Sequence, residues 1–314
     1  MRPRLPLTVI SGYLGAGKTT LVNRLLAEPH GLKLLVMVND FGAINIDAAL
    51  LQSADEDTLT LSNGCVCCTM GADLFMAVGD VLDRAQRPEH LVIEASGIAD
   101  PARIATLAHA EPELSFGGVV TVVDGPGWGA LAADAQIGPQ VTQQLRAADL
   151  VCVSKLAAPD PGLCLRLGVE AGAPVVDLAE IDTLAPMLFG IRPEALPEAG
   201  AGAHAAYVSW SSDVARAMDR AALEALLAAR PGGLVRVKGF VGDGAGGAWE
   251  LHCVGPSVAL KPLPGPRPTQ VVAIGLQGRV RREEIAAWWG GQGASSVTVA
   301  SPACSAPSAR SKRR

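Results

Sequence analysis

TVISGYLGAGKTTLVNRLLAE, residues 8–28, decides the fold. A β-branched apolar run leads into Gly12-Tyr13-Leu14-Gly15-Ala16-Gly17-Lys18-Thr19-Thr20, and a helical pattern follows. The middle is the G-x-x-x-x-G-K-[ST] phosphate loop in the strand–loop–helix setting that gives it mechanical meaning. Gly12, Gly15 and Gly17 accept positive φ without a Cβ clash, so the N–H groups of the loop, Ala16 included, can curl around phosphate oxygens. The helix starting near Lys18 aims its positive dipole end, with the N–H groups of Thr19 and Thr20, at the same phosphates. Lys18 is expected to reach the β/γ-phosphates and the Thr19 hydroxyl to ligate Mg²⁺. The plain alternative is a glycine-rich turn with no ligand, and the intact strand, loop and helix weigh against it.

Outward from this stretch, apolar runs alternate with helical patterns over about the first 190 residues, as the βαβ rule requires. Strands are expected at 5–11, 32–39, 90–95, 118–124, 150–154 and 174–178, with helices beginning near Lys18, Gly71, Pro101, Pro139, Pro161 and Glu180. Runs such as LLVMV and VVTVV fit strands buried on both faces, hence an α/β fold with a mostly parallel sheet. Ligands of such sheets belong at the carboxyl ends of the strands. Residues 1–192 are read as this phosphate-loop domain, and the Pro/Ala/Gly-rich 193–206 as a linker. Residues 207–300 read as a small α+β domain of mainly antiparallel strands, with a helix capped by Asp213 running to Ala229. The basic tail 301–314 is expected to be disordered.

The chain has 314 residues, 49% hydrophobic and 18% charged, which describes a folded protein with ample core. A net charge of −5 argues against nucleic acid as a general partner, and no apolar run is long enough for a membrane helix. A cleaved leader would remove the first strand, so a cytoplasmic protein is expected.

Further clusters fall at strand ends. Asp40, in NDFGAINID, can meet Mg²⁺ or the γ-phosphate region, or can simply cap an Asx-turn. In NGCVCC, the thiolates of Cys65, Cys67 and Cys68 can converge on one ion and leave its fourth position open, as a protein that gives metal away needs. A redox C-x-x-C pair and buried packing cysteines are the competing readings. Glu94 and Gly97, in EASGIADP, sit where phosphate-loop enzymes keep a Mg²⁺-side carboxylate and a γ-phosphate-sensing amide. Asp100-Pro101 is a helix cap with N1 proline.

Taken together, GYLGAGKTT, NDFGAINID, NGCVCC and EASGIADP resemble, in order and spacing, the CobW-like metallochaperone GTPases, relatives of the GTPases that mature hydrogenase and urease. LVRVKGFV and LHCVGPSVALKP extend the likeness, more loosely, into the second domain. The resemblance implies binding and hydrolysis of GTP with Mg²⁺, and delivery of Zn²⁺ (or Co²⁺) to a client metalloprotein. It makes Lys18, Asp40 and Glu94 the catalytic set, with Thr19, Asp40 and Glu94 on the Mg²⁺ side. Cys65, Cys67 and Cys68 become ligands of the transferable metal. A homodimer is left open.

This sequence departs from the pattern at the base-reading motif. Where the family carries N-K-x-D, it has Ser154-Lys155-Leu156-Ala157, so discrimination of GTP from ATP is expected to weaken. Asp160 is the one nearby substitute acceptor. The linker offers His204 alone in place of a histidine-rich arm. His252, Cys253, Cys152, Cys164 and Cys304 are read as packing or tail residues. With no evident arginine finger or water-positioning glutamine, intrinsic hydrolysis is expected to be slow. Rival readings are a nucleotide-modulated metal buffer or sensor and a small-molecule phosphoryl transferase.

Overall fold

The computed structural model describes residues 3–39, 58–61, 70–193, 195–197 and 206–290. Asp40, the Cys65–Cys68 cluster, His204 and the tail 301–314 lie outside them.

In the first domain the strands are β1 (Leu5–Ser11), β2 (Leu34–Asn39), β3 (Thr58–Leu61), β4 (His90–Glu94), β5 (Leu114–Asp124), β6 (Leu150–Ser154) and β7 (Val175–Asp177). They form one parallel sheet in the order β3-β2-β4-β1-β5-β6-β7. The chain builds one side of β1, then crosses to the other after β4. The carboxyl ends of β1, β4, β5 and β6 therefore gather at the reversal point, where such sheets bind ligands. Helices α1 (Lys18–Ala27), α2 (Met70–Leu82), α3 (Pro101–Ala105), α4 (Leu107–Ala110), α5 (Trp128–Ala133), α6 (Gly138–Arg146), α7 (Pro161–Ala171) and α8 (Ala185–Phe189) accompany it. β1, β4 and β6 are buried on both faces almost throughout, which explains their uninterrupted apolar sequences.

The second domain is an antiparallel sheet of β8 (Tyr207–Ser212), β9 (Leu234–Gly242), β10 (Ala248–Val254), β11 (Ser257–Leu263) and β12 (Gln270–Leu276), ordered β11-β10-β9-β12-β8. One face packs Val237, Leu251, Cys253 and Ala273 with residues of α9 (Arg220–Ala228) and α10 (Arg282–Gly290). The other turns toward the first domain: Phe240, Val272 and Ile274 pack with Tyr13, Leu14 and Ile98.

Two helix starts differ from expectation. The helix read from Asp213 begins at Arg220, capped by Asp219, whose side chain accepts from the Ala222 N–H at 2.7 Å. Residues before it are pinned to the sheet: Thr269 Oγ1 accepts from Arg216 N–H and donates to the Arg216 carbonyl, and Met218 N–H bonds the Gly242 carbonyl. Those bonds outcompete a local cap at Asp213. The helix expected near Glu180 begins at Ala185, because the Glu28 carboxylate accepts from the N–H groups of Leu184 and Ala185. A cap supplied by α1's C-cap residue leaves no local signature. β5 starts earlier than expected, at Leu114, and contains Gly118 at φ 104 within a register slip against β1.

Candidate functional site

The phosphate loop has the geometry its sequence demands. Gly12, Gly15 and Gly17 have φ of 134°, 78° and 103°. At Gly12 a Cβ would sit 2.2 Å from the Val122 carbonyl oxygen, so only glycine fits there. Gly17 is the N-cap of α1 in a left-handed conformation and supplies no side-chain cap. The first N–H groups of the helix thus face the loop, as an anion requires. The Lys18 ammonium, 6% exposed, donates to the carbonyls of Gly12 (2.8 Å) and Tyr13 (3.2 Å).

Beside it, the Thr19 hydroxyl donates to Glu94 Oε1 at 2.9 Å. Glu94 ends β4, opposite Ile10 in the register with β1, and is 4% exposed. Gly97 follows in a loop pressed on the phosphate loop: a Cβ there would meet the backbone N and Cα of Leu14 at 2.7 and 2.8 Å. Three glutamines of α6 hold this loop. Gln140 donates to the Ile98 carbonyl at 2.8 Å, Gln144 to those of Gly97 (3.2 Å) and Ala99 (3.0 Å), and Gln143 to Asp100 Oδ2 at 3.0 Å. Asp100 caps α3 as expected, accepting from Ala102 N–H.

Ser154 and Lys155 close the far side. The Ser154 hydroxyl lies 2.6 Å from the Ala16 carbonyl and 3.1 Å from that of Val123, tying the end of β6 to the phosphate loop. Lys155, left-handed at φ 62, donates to Asp124 Oδ2 at 2.7 Å. Asp160 is engaged elsewhere: it is the N-cap of α7 and accepts from Leu163 N–H at 2.8 Å.

Gly15, Gly17, Lys18, Thr19, Glu94 and Gly97 line one cavity of about 490 Å³. Its roof comes from the second domain, with Val254 so near Gly15 that a Cβ on the glycine would fall 2.4 Å from Val254 Cγ2. His252, read from sequence as a packing residue, lines this roof and bonds Glu250 Oε1 through Nε2 at 2.9 Å. Burial chiefly, aided by Lys238, pushes its pKa down, against the pull of Glu250. Cys253 points to the opposite, apolar face, and burial pushes its thiol up to about 11, as expected of packing; buried Cys152 rises to about 12. A hydrogen-bond chain also joins the domains. Tyr207 donates to Gln140 Oε1 at 2.8 Å, and its hydroxyl lies 3.0 Å from that of Tyr13. Burial pushes Tyr207 up to about 12. Gln140 and Tyr207 carry no sequence motif, Tyr13 is a variable position of the phosphate loop, and most of the roof residues fall in the loosely family-like stretches 234–241 and 251–262, which name no role for them. The alternation V-R-V-K in β9 is the one hint of a charged sheet face.

Among the described residues, no group of three His, Cys, Asp or Glu is arranged to hold a metal, and no helix is long and apolar enough to cross a membrane.

A glycine-built loop opening a helix, with a strand-end carboxylate against the first helical hydroxyl, defines a phosphate-loop nucleotide-binding protein. The model of the CobW/HypB/UreG nucleotide-binding domain matches residues 6–160, and that of the cobalamin synthesis protein cobW C-terminal domain matches 207–291. The chain belongs to the CobW/HypB/UreG family, in its two-domain CobW form. It is 33% identical over 207 residues to the zinc chaperone YjiA of Escherichia coli, covering 62% of this chain and 64% of that protein. It is 37% identical over 130 residues to a zinc chaperone CobW of Sinorhizobium, covering 38% of this chain and 37% of that protein. The chain thus spans less than two thirds of the curated relatives' length. The crystal structure of Zn(II)-bound YjiA GTPase from E. coli aligns with 93% of this chain and 99% of that one, at 24% identity and a TM-score of 0.47.

Proposed function

We propose that this chain is a GTPase that binds zinc and delivers it to a client metalloprotein. The observation that carries the reading is the contact of Thr19 with Glu94 beside Lys18, on a loop whose three glycines hold positive φ. Membership of a family whose relatives are named zinc chaperones supports the cargo.

Lys18 binds the β/γ-phosphates, while the N–H groups at the start of α1 hold their oxygens. Thr19 and Glu94, a hydroxyl and a carboxylate, are hard oxygen donors suited to Mg²⁺, with Asp40 as a second carboxylate. Bound there, Mg²⁺ supplies neutralisation of charge on the β- and γ-oxygens. In hydrolysis water adds to the γ-phosphorus, the bond to the β–γ bridging oxygen breaks, and GDP and inorganic phosphate leave. Gly97, held against Leu14 by Gln144, offers its amide on the γ-phosphate side. The cargo is carried by the thiolates of Cys65, Cys67 and Cys68, a set suited to Zn²⁺ or Co²⁺.

Phosphate release from GTP tests this reading. The wild type should hydrolyse GTP slowly and Lys18→Ala should not, because a cation facing the phosphates in a partly desolvated site is lost. Equal rates in the two proteins would overturn it.

A further inference from the structure

Helix α6 stands between the second domain and the loop that carries Gly97. Ile137 and Val141, one turn apart, pack with Phe240, Val272, Ile274 and Leu276 of the second sheet. Gln140 and Gln144, also one turn apart and each 2% exposed, turn to the loop instead. The second sheet grips this helix from a single corner. Tyr207 opens β8 opposite Leu276, the last residue of β12, and Arg279 follows three residues on. The Arg279 guanidinium meets both carboxylate oxygens of Asp134, at 2.9 and 3.0 Å. Asp134 in turn accepts from the N–H groups of Gln136 and Ile137 at the entrance to α6.

The hydrogen bonds here run in one direction. Tyr207 donates its proton to Gln140 Oε1, so the Tyr13 hydroxyl is the donor in its 3.0 Å contact with Tyr207. Gln140 Nε2 then donates to the Ile98 carbonyl. The chain starts on the phosphate loop, passes through a residue of the second domain and ends on the Gly97 loop. Each link polarises the next. The carbonyls of residues 96–99 are all engaged: Ser96 by the Ala99 N–H at 2.9 Å, Gly97 and Ala99 by Gln144, and Ile98 by Gln140. A planar trans peptide holds its N–H opposite its carbonyl, so fixing the Ser96 carbonyl fixes the direction of the Gly97 amide. The Gln140 carboxamide has no slack: turned over, it would set Oε1 against the Ile98 carbonyl oxygen. Without the Tyr207 proton, Oε1 becomes a buried acceptor with no partner, a cost that favours reorientation of Gln140 and release of Ile98.

We propose that Tyr207, the first residue of the second sheet, is a positioning residue for the nucleotide reaction: through Gln140 it holds the Gly97 loop in place to read the terminal phosphate. This rests on the nucleotide reading of the phosphate loop. Preference for triphosphate over diphosphate then depends on the docked second domain, and α6 is the element that transmits it.

The test compares the affinities of a non-hydrolysable GTP analogue and of GDP, both with Mg²⁺, for the wild type, Tyr207→Phe, Gln140→Met and the double variant. Each single substitution should weaken the analogue about fivefold, the worth of one hydrogen bond, and shift GDP less than about twofold. The double variant should bind the analogue no more weakly than Gln140→Met, because the Tyr207 hydroxyl acts through Gln140. Tyr207→Phe keeps its ring in the apolar cluster between the domains, so its triphosphate-to-diphosphate ratio decides the matter even if loss of the buried Gln140 prevents folding. Loss of affinity for both nucleotides alike, an unchanged ratio in Tyr207→Phe, or additive effects in the double variant would each overturn this inference alone. A wild type that binds neither nucleotide overturns the proposed function with it.

Discussion

The Thr19 hydroxyl donates to Glu94 Oε1 across 2.9 Å, joining the first turn of α1 to the end of β4. Thr19→Ala removes one of these two oxygens and leaves Lys18 in place. The Mg²⁺ concentration that half-saturates hydrolysis should then rise about tenfold, the loss of roughly one hydrogen bond or ligand, with nucleotide affinity changed less. Titration of phosphate release with Mg²⁺ measures it, and an unaltered midpoint would assign the cation to other residues.

Ser154, Ala157 and Asp160 are the residues on which base selectivity is predicted to turn. Ser154 is committed to the Ala16 carbonyl and Asp160 to its own helix, while Ala157 has no acceptor to offer the guanine N1–H and amino group. GTP should therefore be preferred to ATP only weakly. Ala157→Asp should raise the preference by one or two decades, since a bidentate base contact is worth roughly 1–3 kcal/mol by analogy with groove readout. Competition of the two nucleotides decides it. A wild type that excludes ATP a thousandfold, on the order of 4 kcal/mol, and is indifferent to Ala157→Asp would mean another group reads the base.

Gly97 is a steric necessity where the two loops meet. A Cβ at this position meets Leu14 backbone atoms, which cannot retreat without moving the phosphate loop. Gly97→Ala should lower thermal stability by about 1–3 kcal/mol and cut GTP affinity in the same protein. Calorimetric unfolding together with nucleotide titration checks both. Wild-type values in each would show that the loops are not in register as described.

Why some of this is legible in the sequence and some is not has a physical cause. Leu5–Ser11 and Leu150–Ser154 read directly, because strands buried on both faces tolerate few polar interruptions. The phosphate loop reads because its glycines obey local backbone sterics. Thr58–Leu61 has four residues and no distinguishing period, so it escapes notice. The start of α8 escapes because its cap, Glu28, comes from far along the chain. The roof's position over the phosphate loop escapes for a related reason, although its stretches 234–241 and 251–262 look family-like. V-R-V-K in β9 has the pattern of a sheet with one solvated face, and only the docking of the domains turns that face into a cavity wall.

His90 carries a pH dependence of stability. Its ring, packed against Phe189 and hydrogen-bonded to Thr8 Oγ1 at 2.8 Å, is buried, and burial pushes its pKa down from 6.5 to about 4. The unfolded chain therefore binds the proton first. His90 should cost no stability above pH 6.5 and up to about 1.4 kcal/mol per pH unit as pH falls from there toward 4. Denaturant midpoints of the wild type and His90→Gln between pH 4 and 7 measure this. The variant should lose less stability over the window, and parallel curves would contradict the assignment.

The most direct test of GTP-governed zinc delivery is the Zn²⁺ affinity of the reduced full chain, measured by chelator competition with the GTP analogue and again with GDP. If Cys65, Cys67 and Cys68 form a cargo site coupled to the phosphate loop, the two affinities should differ at least about fivefold, a coupling on the order of 1 kcal/mol. Replacing all three cysteines by serine should abolish the tight site in both nucleotide states. Identical Zn²⁺ affinities in the two states, or a tight site that survives the triple substitution, would contradict it.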